Sequence, residues 1–103
     1  MNSDRKQKTF NLLSICLKAG KAVKGFDSVC ESIKKGTVSA VLTACDASEK
    51  TLKEVNFICG KYQVPVLMTQ LSKAETGRCC GKDTAVIAVC DEGFAKGFEK
   101  ILK

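Results

Sequence analysis

Residues 18–36 read KAGKAVKGFDSVCESIKKG. The stretch decides the fold because its pattern changes twice within nineteen residues. A helical pattern stops at Gly20, a short extended piece covers Lys21 to Gly25, and a second helical pattern starts near Asp27 or Ser28. A helix, a strand and a helix in immediate succession point to layered α/β architecture. The same stretch carries five lysines and three glycines. A helix start offers unpaired N–H groups and the positive pole of the helix dipole, so it suits an anion. Gly25, just ahead of that start, lets another backbone come close, and Lys18, Lys21 and Lys24 stand within reach of phosphates. The plain alternative is a strand-to-helix turn beside solvated lysines.

Working outward, Ser3 or Asp4 caps a first helix running to about Ala19. Phe10, Leu13 and Leu17 form its apolar face, and Gly20 is its C′ stop. In the second helix, Ser28-Val-Cys-Glu31 has the S-x-x-E form of a capping box. Gly36 ends that helix, and Val29, Ile33 and Cys30 face inward. SAVLTAC (39–45) is a buried strand. Ser48 caps a third helix with Leu52, Val55 and Cys59 inward and a stop at Gly60. A strand covers 64–68, with Pro65 near its start. Ser72-Lys-Ala-Glu75 is a second capping box, opening a short helix that ends near Gly77. TAVIAVC (84–90) is a third apolar strand. Asp91 caps a last helix with an apolar face of Phe94, Phe98, Ile101 and Leu102, and Gly93 and Gly97 let it lie close to a neighbour. Counting the weak strand at 22–25, the expectation is an α/β fold, a three-layer α-β-α sandwich with a four-stranded mixed sheet covered on both faces.

The chain has 103 residues, enough for a single domain with a real core. Its 17 Lys and Arg against 11 Asp and Glu give a net charge of +6. That excess favours a polyanionic partner. There is no histidine, which excludes Ser-His, Cys-His and histidine-zinc chemistry. No carboxylate pair, metal-ligand set or phosphate-binding glycine motif can be assembled from spacing, so neither an enzyme nor a cofactor is expected. The seven cysteines include no C-x-x-C. Cys16, Cys30, Cys45, Cys59 and Cys90 sit in apolar patterns and read as small core residues of a protein from a reducing compartment. MNSDRKQK has no apolar signal region, and no apolar run approaches the ~20 residues that cross a bilayer. The expectation is a soluble, cytoplasmic monomer with no membrane partner.

Two further stretches carry candidate chemistry. In TGRCCGKDTAV (76–86), Arg78 and Lys82 flank Cys79, Cys80 and Gly81. Small or apolar side chains between cations suit an unstacked base beside phosphates. The same cations can also lower the pKa of the two thiols for redox work, and a surface turn is the third possibility. In CDASEKT (45–51), Asp46 or Ser48 caps the next helix. Any further role would place Asp46 at the same sheet end as the other two stretches.

Taken together, A-G-K-x-V-x-G, A-x-D-A-S-x-x-T, G-x-x-x-G-K-D and D-E-G-F-A-K-G resemble the kink-turn RNA-binding ribosomal-protein family, in words the L-seven-Ae / L-thirty-e family. The likeness runs from about Leu12 to Gly97 and is greatest to its small bacterial YlxQ-type members. It implies an L-thirty-e-like α-β-α sandwich that docks the N-terminus of its second helix into kinked RNA at tandem sheared G·A pairs. It also implies that Gly25 allows close backbone approach and that the loop Arg78 to Lys82 covers an extruded base. Asp27, Ser28 and Glu31 stand where the family's readers carry an Asn-Glu-like pair and a lysine. A carboxylate at 27 accepts from base amino groups but repels phosphate, and Glu31 reverses the lysine's sign. Phe26 can pack on a base or on the core. The implied partner is structured RNA, ribosomal or otherwise kink-turn-like. A protein-interaction module that keeps the fold without reading kink-turns is the alternative.

Overall fold

A computed structural model describes residues 2–102. The elements are α1 (Asn2–Lys18), β1 (Ala22–Lys24), α2 (Phe26–Lys35), β2 (Ala40–Thr43), α3 (Glu49–Lys61), β3 (Val66–Met68), α4 (Lys73–Cys80), β4 (Val86–Val89) and α5 (Glu92–Leu102). The four strands form one sheet in the order β1-β4-β2-β3. β4 is antiparallel to both β1 and β2, while β2 and β3 are parallel, so the sheet is mixed.

Side-chain alternation along the strands divides the core in two. Leu42, Leu67, Ile87 and Val89 face α1, α4 and α5, where Leu13, Cys16 and Phe98 close the layer. Val41, Val86 and Ala88 face α2 and α3, against Val29, Ile33, Val55 and Cys59. Because helices cover both faces, every residue of β2 and β4 is buried, which is why these strands read as unbroken apolar runs. The three-layer sandwich expected from the sequence is the fold found.

Several boundaries differ from the expectation. Within the described residues α1 begins at Asn2, which places Ser3 and Asp4 inside its first turn instead of ahead of it. α3 runs past Gly60 to Lys61, and the left-handed turn falls on Gln63 with φ 57°. α4 runs past Gly77 to Cys80 and turns at Gly81, φ 91°. Gly77 has a packing role: a Cβ there would come within 3.0 Å of the Lys82 and Asp83 backbone. Gly97 acts similarly in α5, where a Cβ would meet Leu12 of α1 at 3.0 Å. Gly93 is different, since the atom its Cβ would meet is the carboxylate of Asp91, which caps α5 by accepting from the Phe94 amide. The cysteines also divide differently from expectation. Cys16, Cys59 and Cys80 are buried, Cys30, Cys79 and Cys90 are half-buried, and Cys45 is exposed.

Candidate functional site

The register fixes what meets at each end of the sheet. Lys24 pairs with Ile87, Thr43 with Val86, and Met68 with Thr43. The chain therefore leaves β1, β2 and β3, and enters β4, at one common end. That end gathers the start of α2, the loop at 44–48, the start of α4 and the loop at 81–85. Backbone bonds staple the loops together: the Cys45 amide donates to the Leu71 carbonyl at 2.8 Å, Ala44 to Ala85 at 2.9 Å and Thr84 to Lys73 at 3.3 Å. The expectation that the three stretches border one sheet end is met.

α2 starts at Phe26 because Gly25 adopts φ 94°, ψ 140°, a conformation that side chains other than hydrogen resist. The Gly25 amide donates to the Val86 carbonyl at 3.1 Å, which fixes the turn to the sheet. No side chain caps the helix, and nothing lies within 4 Å of where a Gly25 Cβ would stand. The first amides of α2 are thus left without a side-chain cap. The capping box expected at Ser28 does not form, because the N-cap is Gly25, three residues earlier, and Ser28 lies inside the first turn. Glu31 instead pairs with Lys35 at 3.4 Å, one turn on. Asp27 and Ser28 are exposed at this open end. Phe26 is half-buried against the α2–α3 side of the core, so packing claims its ring.

The cations divide. Lys24, at the end of β1, donates its ammonium to the Cys80 carbonyl at the C-terminus of α4, where the helix dipole favours positive charge. Lys18, Lys24 and Arg78 line one open cleft of about 540 Å³, with Ser14, Leu17 and Cys79 between them. Lys21 is not part of that group. Its carbonyl accepts from the Cys90 amide, at the other end of a strand roughly 10 Å long.

In the 78–82 stretch, Arg78, Cys79 and Cys80 occupy the last turn of α4 and not a loop. Cys80 is 3% exposed, which removes it from any RNA-facing surface. Its thiol is pushed up, first by burial; the Thr84 side chain and, more weakly, Lys24 oppose this, not the flanking Arg78 and Lys82. That is the reverse of what a reactive thiol needs. The Cys79 sulfur lies 3.2 Å from the Ser14 hydroxyl. Gly81 and Lys82 are exposed at the sheet end. Asp46 does not cap α3, a task done by Ser48, which accepts from the Thr51 amide. Asp46 accepts from the Lys73 amide at 2.8 Å and so closes the start of α4. Sequence reading missed that bond, since the partners lie 27 residues apart.

Gly25 and Gly81, both with positive φ, thus stand at one sheet end beside Lys24, Arg78 and Lys82. A sequence model described as the "Ribosomal protein L7Ae/L30e/S12e/Gadd45 family" matches residues 7–99. The chain belongs to this family. An RNA-binding protein YlxQ of Enterococcus faecium is 33% identical over 103 residues, spanning 100% of this chain and 99% of its own. An RNA-binding protein YlxQ of Bacillus subtilis is 38% identical over 94 residues, 90% of this chain and 93% of its own. Among solved structures, a Bacillus halodurans protein of unknown function superposes with a TM-score of 0.83 at 30% identity, covering 90% of this chain and 94% of its own. A 15.5 kD RNA-binding protein of Giardia lamblia superposes at 0.77 with 18% identity, covering 96% of this chain and 85% of its own. The last shares the fold.

Proposed function

We propose that the protein is a non-catalytic RNA-binding protein that docks the open start of α2 into structured RNA. The observation that carries the reading is Gly25: a helix N-terminus with no side-chain cap and clear space where a side chain at 25 would stand. Unpaired amides there favour a phosphate or a base edge. Lys18, Lys24 and Arg78 supply the salt-sensitive share of the affinity, and Gly81 and Lys82 cover the neighbouring strand. The YlxQ relatives, named as RNA-binding proteins, support the same partner.

The preferred RNA is kinked, with sheared G·A pairs whose amino groups face Asp27 and Ser28. Both side chains accept such hydrogen bonds. Asp27 also repels phosphate, so specificity is tied to the base edges and not to the backbone. The test is a titration with two RNAs of equal length, one kinked by tandem G·A pairs and one fully paired, at two salt concentrations. Tighter binding to the kinked RNA is expected. Equal binding would limit the site to phosphate contact, and binding to neither would favour a protein partner at the same surface.

A further inference from the structure

Two open clefts lie end to end along α1. The first, about 430 Å³, runs between α1 and α4 and is lined by Lys6, Gln7, Phe10, Leu71, Glu75 and Arg78. The second is the cleft of Lys18, Lys24 and Arg78 described above. Arg78 lines both, and Phe10 of the first stands one helical turn from Ser14 of the second. From Lys6 to Lys18 this side of α1 is about 18 Å long. Phe10 and Leu17 are half-buried against the core beneath, so the groove has an apolar floor and a cationic rim. Among the described residues that line the two clefts, Glu75 is the one carboxylate. One of its oxygens accepts from the Ser72 amide and the other pairs with Lys6. Glu75 therefore neutralises Lys6 and leaves Lys18, Lys24 and Arg78 without an acidic partner in the groove.

We propose that this groove holds a single-stranded RNA segment that flanks the structured element bound at α2. The inference rests on the RNA-binding reading and adds a second contact surface to it, on the α1–α4 side of the sheet. Lys24 immediately precedes Gly25, so RNA docked at the α2 start reaches the groove without leaving the protein surface. A duplex turns its phosphates outward and keeps its base faces stacked, which leaves the apolar floor unmatched. A protein segment matches the floor but must bring its own acidic groups to the rim. A single strand carries both, with phosphates for the cations and the faces of its bases and riboses for Phe10 and Leu17.

The test compares a blunt kinked RNA with the same RNA carrying about six unpaired uridines at its 5′ or its 3′ end, and with one whose extension is fully paired. Wild type should bind one of the tailed RNAs about tenfold more tightly than the blunt one. Gln7 supplies the variants: it is exposed and its amide donates only to Asn11, one turn on, so the fold tolerates its replacement. Gln7→Glu should cut the gain from the tail roughly threefold, and Gln7→Lys should raise it by a similar factor. Both should bind the blunt RNA as wild type does. Equal binding of tailed and blunt RNA would overturn the proposal and leave the reading of the α2 start intact. So would a gain that ignores Gln7, which would put the tail elsewhere, or an equal gain from the paired extension. A helical peptide rich in glutamate and leucine that binds with the same Gln7 dependence, while the tails add nothing, would assign the groove to a protein instead. Free oligouridine that binds with this Gln7 dependence, while the blunt RNA does not bind at all, would keep the groove and end the reading of the α2 start.

Discussion

The starts of α2 and α4 lie at the same end of the sheet, and they are built in opposite ways. At α4, Ser72 accepts from the Glu75 amide, and the Glu75 carboxylate accepts in return from the Ser72 amide. Asp46 takes the Lys73 amide as well, and Lys6 of α1 pairs with Glu75. At α2 there is a glycine and no side-chain cap. Both starts are preceded by the sequence form S-x-x-E or contain it. The closed start is capped by its own chain and contributes stability. The open start forgoes that stability and leaves amides for something else. The difference teaches that the function is to be sought where the fold declines to cap itself.

The largest effect should come from closing the open start. Gly25→Val places a side chain at φ 94° and in the space ahead of the helix. Strain of this kind costs roughly 1–3 kcal/mol of stability, and RNA affinity should fall more than tenfold. A thermal melt beside a binding titration separates the two losses. Wild-type affinity in a folded Gly25→Val would break the comparison.

Opening the closed start should do the reverse. Ser72→Ala should lower stability by about 1 kcal/mol and leave RNA affinity within twofold, as read by denaturant unfolding and the same titration. The closed start also has a pH signature. The Lys6 ammonium, hydrogen-bonded to Glu75, together with the Ser72 backbone holds this carboxyl down at about 2, from an ordinary 4.5. Its folded pKa is depressed, so its contribution is complete above the unfolded value and fades as pH falls from about 4.5 towards 2. Glu75→Gln should therefore be less stable than wild type at neutral pH and converge with it in that acid window.

A smaller contrast lies among the lysines. Lys24 sits in the cleft with Lys18 and Arg78, whereas Lys21 lies at the far end of β1. Lys24→Gln should weaken RNA binding severalfold and flatten its dependence on salt, and Lys21→Gln should change either by less than half as much. Smallest of all should be the stability effect of Glu31→Lys, which removes one exposed pair with Lys35 and stays within about 0.5 kcal/mol. Its RNA affinity should rise, which would sharpen the assignment of that slot.

The element order and the sheet's two-sided burial were legible because apolar runs, proline and glycine punctuate them locally. The starts of α2 and α4 show where local reading stops. One signature, S-x-x-E, formed a box at Ser72 and none at Ser28, because Gly25 begins its helix three residues early and Lys35 then draws Glu31 away. Likewise Gly77 reads as a stop and acts as a contact point for the backbone at 82–83. That error turned Arg78, Cys79 and Cys80 into a loop. The candidate site was legible in its glycines and in most of its cations. The Asp46–Lys73 bond and the separation of Lys21 from Lys24 depend on strand register, which no local pattern carries.

The most direct test of the central claim is one titration of kinked, tandem-G·A RNA into wild type, Gly25→Val and Ser72→Ala at two salt concentrations. The account predicts salt-steep binding by wild type and Ser72→Ala, and loss in Gly25→Val. Equal binding by a folded Gly25→Val would contradict it.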